Sequence, residues 1–209
     1  MQKIMFNDKY GLTQAVLEGR KTQTRRIAFK QNGFIVIEDK DIHLQKLDNG
    51  QCSCLLGDYK FITAKYRIGE TLAIAQKYED LIKDDDFYRL CGIHGMPLEC
   101  IKYEKGCKNK MFVKADLMPN RIRITDIRAE RLQEISDEDC IAEGIREQYF
   151  YSGEEEPDFE GYSYYAKNVL KPLFCTPRET YAALIDKISG KGTWVSNPYV
   201  FVYEFELIK

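Results

Sequence analysis

Residues 199–207, YVFVYEFEL, alternate aromatic side chains with Val and then with Glu. A period of two with β-branched and aromatic residues fits a pleated, half-buried surface and reads as a strong strand. A second segment, RIRITDI at 121–127, sets Ile122 and Ile124 on one face and Arg121, Arg123 and Thr125 on the other. TLAIA (71–75), entered through Gly69-Glu70, and FIVI (34–37) are further strand candidates, and Asp48-Asn49-Gly50 is a turn signal. Whatever else the chain does, it must build a sheet from such segments.

Short helices interleave with these strands. YGLTQAVLE (10–18) carries Leu12, Val16 and Leu17 as a stripe and stops at Gly19. Ser136 caps a helix with Asp137, Glu138 and Asp139 in its first turn, where negative charge suits the helix dipole, and that helix stops near Gly144. Thr176-Pro177-Arg178-Glu179 is a capping box with Pro at the first helical position. The helix behind it presents Tyr181, Leu184, Ile185 and Ile188 on one face and ends at Gly190. The pattern predicts an α+β domain with a mostly antiparallel, barrel-like sheet. Residues 77–110 show the weakest periodicity. Asp84-Asp85-Asp86 and 105–110 read as solvated loop, an insertion with little apolar content of its own. The expectation is therefore one domain over 1–209 with an insertion at about 77–110.

The length of 209 residues suits one domain. No apolar run approaches the roughly 20 residues a membrane span needs. The start, MQKIMFNDKYG, shows no secretory pattern, so a cytoplasmic setting is expected. Lys plus Arg is 31 and Asp plus Glu is 33, a net charge of −2, so any polyanion site must be a local patch and long duplex DNA is not an expected partner. The seven Cys include no C-x-x-C pair, and the two His, His43 and His94, lie far apart in sequence. Free thiols and no metal or cofactor follow from that spacing.

The densest chemical signal is Gly19-Arg20-Lys21-Thr22-Gln23-Thr24-Arg25-Arg26, four basic residues and two hydroxyls in the seven positions after a helix stop. From 19 to 30 there are five basic residues and no acid. Such a segment suits a phosphate or a polarised carbonyl; it is also what a solvated basic loop looks like. The window 134–160, by contrast, holds eleven acids and one Arg, and its part from Gly153 to Asp158 reads as a surface loop.

The spacing Gly19-x-Lys21-x-x-Thr24-x-Arg26 resembles the ASCH family pattern G-x-K-x-x-[ET]-x-R. Tyr66-Arg67-Ile68-Gly69-Glu70-Thr71-Leu72 is similar to that family's "y-x-x-G-D-x-L" strand entry. Residues 128–136 and Ala142-Glu143-Gly144-Ile145 resemble its "v-x-x-L-x-x-I-[ST] … A-E-G" segment, and Trp194 with Asn197-Pro198 and the last strand resembles the ending of long, phage-type members. Where long members carry "V-R-E", this chain has Ile74-Ala75-Gln76. The resemblance implies a PUA-like β-barrel with flanking helices beside a cleft for RNA or nucleosides. Small bacterial members remove the acetyl group of acetylcytidine. Carried over, Thr24 is the nucleophile, Lys21 the base and Glu143 the proton donor. Gly19, Arg20, Arg25, Arg26, Trp194 and Asn197 become substrate-binding candidates. Arg20, Arg25 and Arg26 would lower the pKa of Lys21 by like-charge repulsion. In a regular strand, positions 21 and 24 face opposite ways, so they converge only if the chain bends after Gly19.

Three functions fit this reading. One is a hydrolase of an acylated nucleoside or similar small amide. Another is a non-catalytic module binding a nucleoside, a nucleotide or single-stranded RNA. The third is a phage-derived accessory protein working through its acidic face. Tyr10, Tyr66, Tyr199 and Trp194 are candidates for stacking a base, and equally for core packing. Lys21, Thr24, Arg26 and Glu143 are expected to line one cleft.

Overall fold

The computed structural model describes residues 1–28, 42–56, 60–150, 159–164 and 174–208. Its main sheet is built from β1 (Gln2–Ile4), β2 (Gln23–Ile27), β6 (Thr71–Ile74), β7 (Arg121–Arg131) and β10 (Tyr199–Ile208), in the order β1-β6-β7-β10-β2. β1 runs parallel to β6, and the other neighbours are antiparallel. A second antiparallel sheet holds β3 (Ile42–Lys46), β4 (Cys52–Leu56) and β5 (Lys60–Thr63). β8 (Arg146–Phe150) and β9 (Phe159–Ser163) form a separate pair. The helices are α1 (Leu12–Leu17), α2 (Tyr78–Leu81), α3 (Asp85–Ile93), α4 (Asp137–Ala142), α5 (Pro177–Ser189) and α6 (Thr193–Ser196).

The α+β class is as expected. The closed barrel is not what the described strands form. β1 and β2 end the order of an open sheet, and where these ends approach, the contact is a side chain: Arg26 Nη2 donates to the Met5 carbonyl at 2.6 Å. Among the described residues no helix is long and apolar enough to cross a membrane. FIVI at 34–37 and the acidic stretch 153–158 lie outside the described residues.

β7 and β10 form the spine, and β10 is buried on both faces from Tyr199 to Tyr203. Ile122 and Ile124 alternate inward as the period of two demands, yet Ile127 is buried too. A register shift resolves the phase: Asp126 pairs with Glu204 and Ile124 with Phe205, leaving Thr125 as the extra residue of a bulge. The Asn49 side chain accepts from Gln51 N at 3.0 Å in the turn between β3 and β4. Cys52 and Cys54 of β4 join the main core with Ile4, Leu72, Ile122, Phe201 and Leu184. All seven cysteines are free thiols.

The insertion departs from its expected character. No part of 77–110 joins a sheet, but it is not a solvated excursion. Tyr78, Leu81, Phe87, Cys91 and Ile101 pack with Ala73, Ala75, Val113, Leu117 and Met118 into a second buried cluster. The Asp84–Asp86 run, read as loop, is the start of α3. Asp84 accepts from Phe87 N at 2.9 Å as N-cap, and Asp85 and Asp86 fill the first turn. Three acids in a row conceal the Phe87, Leu90, Cys91 spacing that follows them. Because Phe87 is fully buried, Phe87→Ala is expected to cost about 3–5 kcal/mol in urea unfolding. A loss below about 0.5 kcal/mol would mean that the insertion contributes no core.

Candidate active-site cleft

The site begins with how the chain leaves α1. Gly19 takes φ +73°, a conformation an L side chain rarely adopts, and the amides of Arg20 and Lys21 both turn back to the Ala15 carbonyl. Thr22 N then donates to the Ala142 carbonyl at the end of α4, and Thr22 O accepts from Phe205 N. β2 starts only at Gln23, so Lys21 precedes the regular strand. The bend expected after Gly19 is therefore present, and it lets Lys21 and Thr24 line the same cavity.

α4 brings the opposing carboxylate. Ser136 caps its start by accepting from Asp139 N at 3.1 Å. Gly144, at φ +104°, ends it so closely against the basic segment that a Cβ there would lie 3.7 Å from Lys21 Cβ. Glu143 at this C-cap is 5% exposed and Lys21 is 2% exposed. Lys21 Nζ donates to Glu143 Oε2 at 2.5 Å and to the Glu143 carbonyl at 2.8 Å.

Arg25 holds the other side of Glu143, donating from Nη1 to Oε1 at 3.2 Å. Its Nη2 reaches Glu130 at 2.7 Å and Asp139 at 2.5 Å, and its Nε reaches Glu130 at 2.9 Å. Arg128 closes the network onto Glu130 at 2.9 Å, Asp139 at 2.6 Å and Glu204, while Gln23 donates to Asp139 at 2.6 Å. Burial works against the charge on Asp139, but hydrogen bonds from Gln23 and Arg25 and the charges of Arg25 and Arg128 outweigh it and hold the carboxyl below its usual range.

Lys21, Arg25 and Glu143 border a cavity of about 410 Å³, within the size range of small-molecule sites. Its polar wall includes Lys21, Thr24, Arg25, Arg26, Glu143 and Tyr181, and its apolar wall includes Phe6, Leu184 and Ile188. Burial lowers the Lys21 pKa most, and Arg26 and Arg25 lower it further against the opposing pull of Glu143. Burial, with the Glu143 charge beside it, raises the Tyr181 phenol well above its ordinary value and keeps it protonated. Thr24 is 5% exposed, and its hydroxyl makes no hydrogen bond among the described residues. Cys140 lies close by, but burial pushes its thiol up to about 12, which keeps it un-ionised. Among the described residues no group of three or more His, Cys, Asp or Glu is placed to hold a metal ion.

Lys21, Thr24, Arg26 and Glu143 thus share one cleft. Other candidates lie elsewhere or have structural partners. Gly19 shapes the bend. Arg20 turns away to Glu18 at 2.7 Å. Arg25 lines the cavity with its guanidinium engaged by three carboxylates. Trp194 packs edge-on against Tyr181 at 6.3 Å under the Arg178 guanidinium, holding α6 to α5, and Asn197 accepts from Gln133 N at 2.8 Å just after β7; neither lines the cavity. Tyr10, Tyr66 and Tyr199 are buried and also lie off this cleft.

Sequence reasoning missed Glu130, Asp139 and Gln23 as partners of Arg25 and Arg128 as the second arginine on the same carboxylates, and it read Tyr181 only as part of a helix's apolar face. The available signal was the basic run at 20–26 set against the acidic window that begins near 134. No protein-family model, curated protein or solved structure matches the chain.

Removing the Arg25 guanidinium leaves Glu130, Asp139 and Glu143 without their shared counter-charge. Arg25→Met is expected to destabilise the fold by about 3–5 kcal/mol in chemical denaturation. Arg20→Ala, at an exposed pair, is expected to stay within about 0.5 kcal/mol. Equal effects of the two substitutions would contradict this assignment.

Proposed function

We propose that this chain is an ASCH-type, PUA-like protein whose cleft hydrolyses the amide of an acylated nucleoside, with acetylcytidine as the representative substrate. The observation that supports it is the buried Lys21–Glu143 contact at 2.5 Å in a cavity that also holds the Thr24 hydroxyl. A pure anion-binding pocket would keep its cations free for the ligand, whereas here Lys21 and Arg25 are engaged by carboxylates.

One proton transfer across that contact turns the ion pair into a neutral amine beside a carboxylic acid. Desolvation favours the neutral form, because charge is costly away from water. In that form Lys21 is a base and Glu143 an acid. Thr24 Oγ1 attacks the amide carbonyl as its proton passes to Lys21 Nζ. The Glu143 proton passes to the exocyclic nitrogen as the C–N bond breaks, which frees the amine and leaves an acyl ester on Thr24. Water then gives a proton to the Glu143 carboxylate and attacks the ester. Thr24 leaves, recovers its proton from the Lys21 ammonium, and the carboxylic acid departs. The neutral pair is restored. Tyr181 offers a donor to the oxygen that gains charge at the carbonyl.

Purified protein is expected to release cytidine from acetylcytidine, and Lys21→Ala, Thr24→Val and Glu143→Gln each to lower kcat by at least about 100-fold. Activity is expected to be bell-shaped in pH, rising as the fully protonated pair loses one proton and falling as it loses the second, the proton that Glu143 donates, with the falling limb below the ordinary Lys value of about 10.4. Arg26→Gln removes a charge that lowers the Lys21 pKa, so the falling limb is expected to move to higher pH. Turnover retained in Lys21→Ala, or nucleoside binding with no turnover across a panel of acyl groups, would overturn the reading.

A further inference from the structure

A second cavity, of about 320 Å³, lies beside the cleft, and Arg26 and Ile27 line both. Strand register explains the sharing. Thr24 pairs with Tyr203 and Arg26 with Phe201, so the same face of β2 and β10 carries Thr24 into one cavity and Arg26, Phe201 and Tyr203 to the other. Thr24 and Arg26 are two residues apart on a strand, a spacing of about 7 Å.

The second cavity has an unusual charge. Its lining includes Lys3, Arg26 and Lys65 and, among the described residues, no carboxylate. None of these three cations has a carboxylate partner among the described residues. Lys3 Nζ donates to the Met111 and Val113 carbonyls at 2.7 Å each, Arg26 Nη2 donates to the Met5 carbonyl at 2.6 Å, and Lys65 Nζ lies 5.0 Å from the centre of the Tyr66 ring. Carbonyls and a ring face orient a cation without neutralising it. The contrast with the cleft is direct, since Lys21 and Arg25 each meet the Glu143 carboxylate there. Three uncompensated charges around one space repel one another, and an anion entering that space removes the repulsion. The floor of Tyr66, Phe201 and Tyr203 is suited to the apolar face of a sugar.

We infer that this cavity is a phosphate subsite and that the substrate is a nucleotide, its acylated base in the cleft and its phosphate held by Arg26, Lys65 and Lys3. Its use in turnover rests on the proposed hydrolase reading, while anion binding itself does not. A phosphate monoester carries roughly −1.5 to −2 charge at pH 7, which matches three cations better than a neutral nucleoside does.

The test is calorimetric titration at low salt with cytidine, cytidine 5′-monophosphate and inorganic phosphate, alongside turnover of acetylcytidine. The monophosphate is expected to bind at least about tenfold tighter than cytidine, with the advantage shrinking as salt is raised. Lys65→Glu is expected to bring the ratio close to one. Lys102→Glu, the same charge change on the insertion, is expected to preserve it. Equal affinities in the wild type, no binding of either cytidine compound, or a preference that survives Lys65→Glu would overturn the subsite. Inorganic phosphate binding as tightly as the monophosphate would overturn the nucleotide assignment. A Lys65-dependent preference without turnover would support the subsite while the hydrolase reading fails; turnover without the preference would reverse that outcome.

Discussion

One guanidinium organises this molecule's polar interior. Arg25 leaves the edge strand β2 and bonds carboxylates from β7 and from α4, including Glu143 at the C-cap of that helix. Burying so many charges is a poor source of stability as such, since desolvation offsets most of the attraction. Its value is positional. Each member has its hydrogen bonds only in one arrangement of β2, β7 and α4, and that arrangement sets Glu143 against Lys21. Loss of the guanidinium would therefore misplace the reactive pair as well as weaken the fold.

β2 also divides labour along its length. Gln23 and Arg25 enter the buried network, Thr24 faces the cleft, and Arg26 stands between two cavities that differ in whether carboxylates line them. In the cleft, Lys21 and Arg25 are matched by carboxylates. In the neighbouring cavity Lys3 and Arg26 donate to carbonyls and Lys65 lies over the Tyr66 ring, with no carboxylate among the described lining residues. Lysines therefore stand in two settings, Lys21 against a carboxylate and Lys3 and Lys65 against carbonyls and a ring face.

Periodicity made much of the fold readable. The alternation at 121–127 and 199–207 gave β7 and β10, and the caps at Ser136 and Thr176 gave α4 and α5, because these signals are local. Sheet closure was not readable, since it depends on which distant edges meet, and β1 and β2 end the order without pairing. The insertion was misjudged because its apolar residues are spread among charges and become a core only beside Ala73, Leu117 and Met118. At the site, motif spacing brought Lys21, Thr24 and Glu143 together. Glu130 and Asp139 were hidden, because nothing local tells a solvated acid from one that meets an arginine more than a hundred residues away.

The central claim is that Lys21 and Glu143 form a buried, proton-exchanging pair that a ligand in the cleft can reach. An NMR titration of side-chain labelled lysine reads this directly, with Lys21→Ala identifying the resonance. The account predicts that Lys21 loses its proton at lower pH than the exposed lysines, and that cytidine shifts its signal while leaving those of the insertion unmoved. A Lys21 signal that titrates with the exposed lysines and ignores cytidine would contradict it.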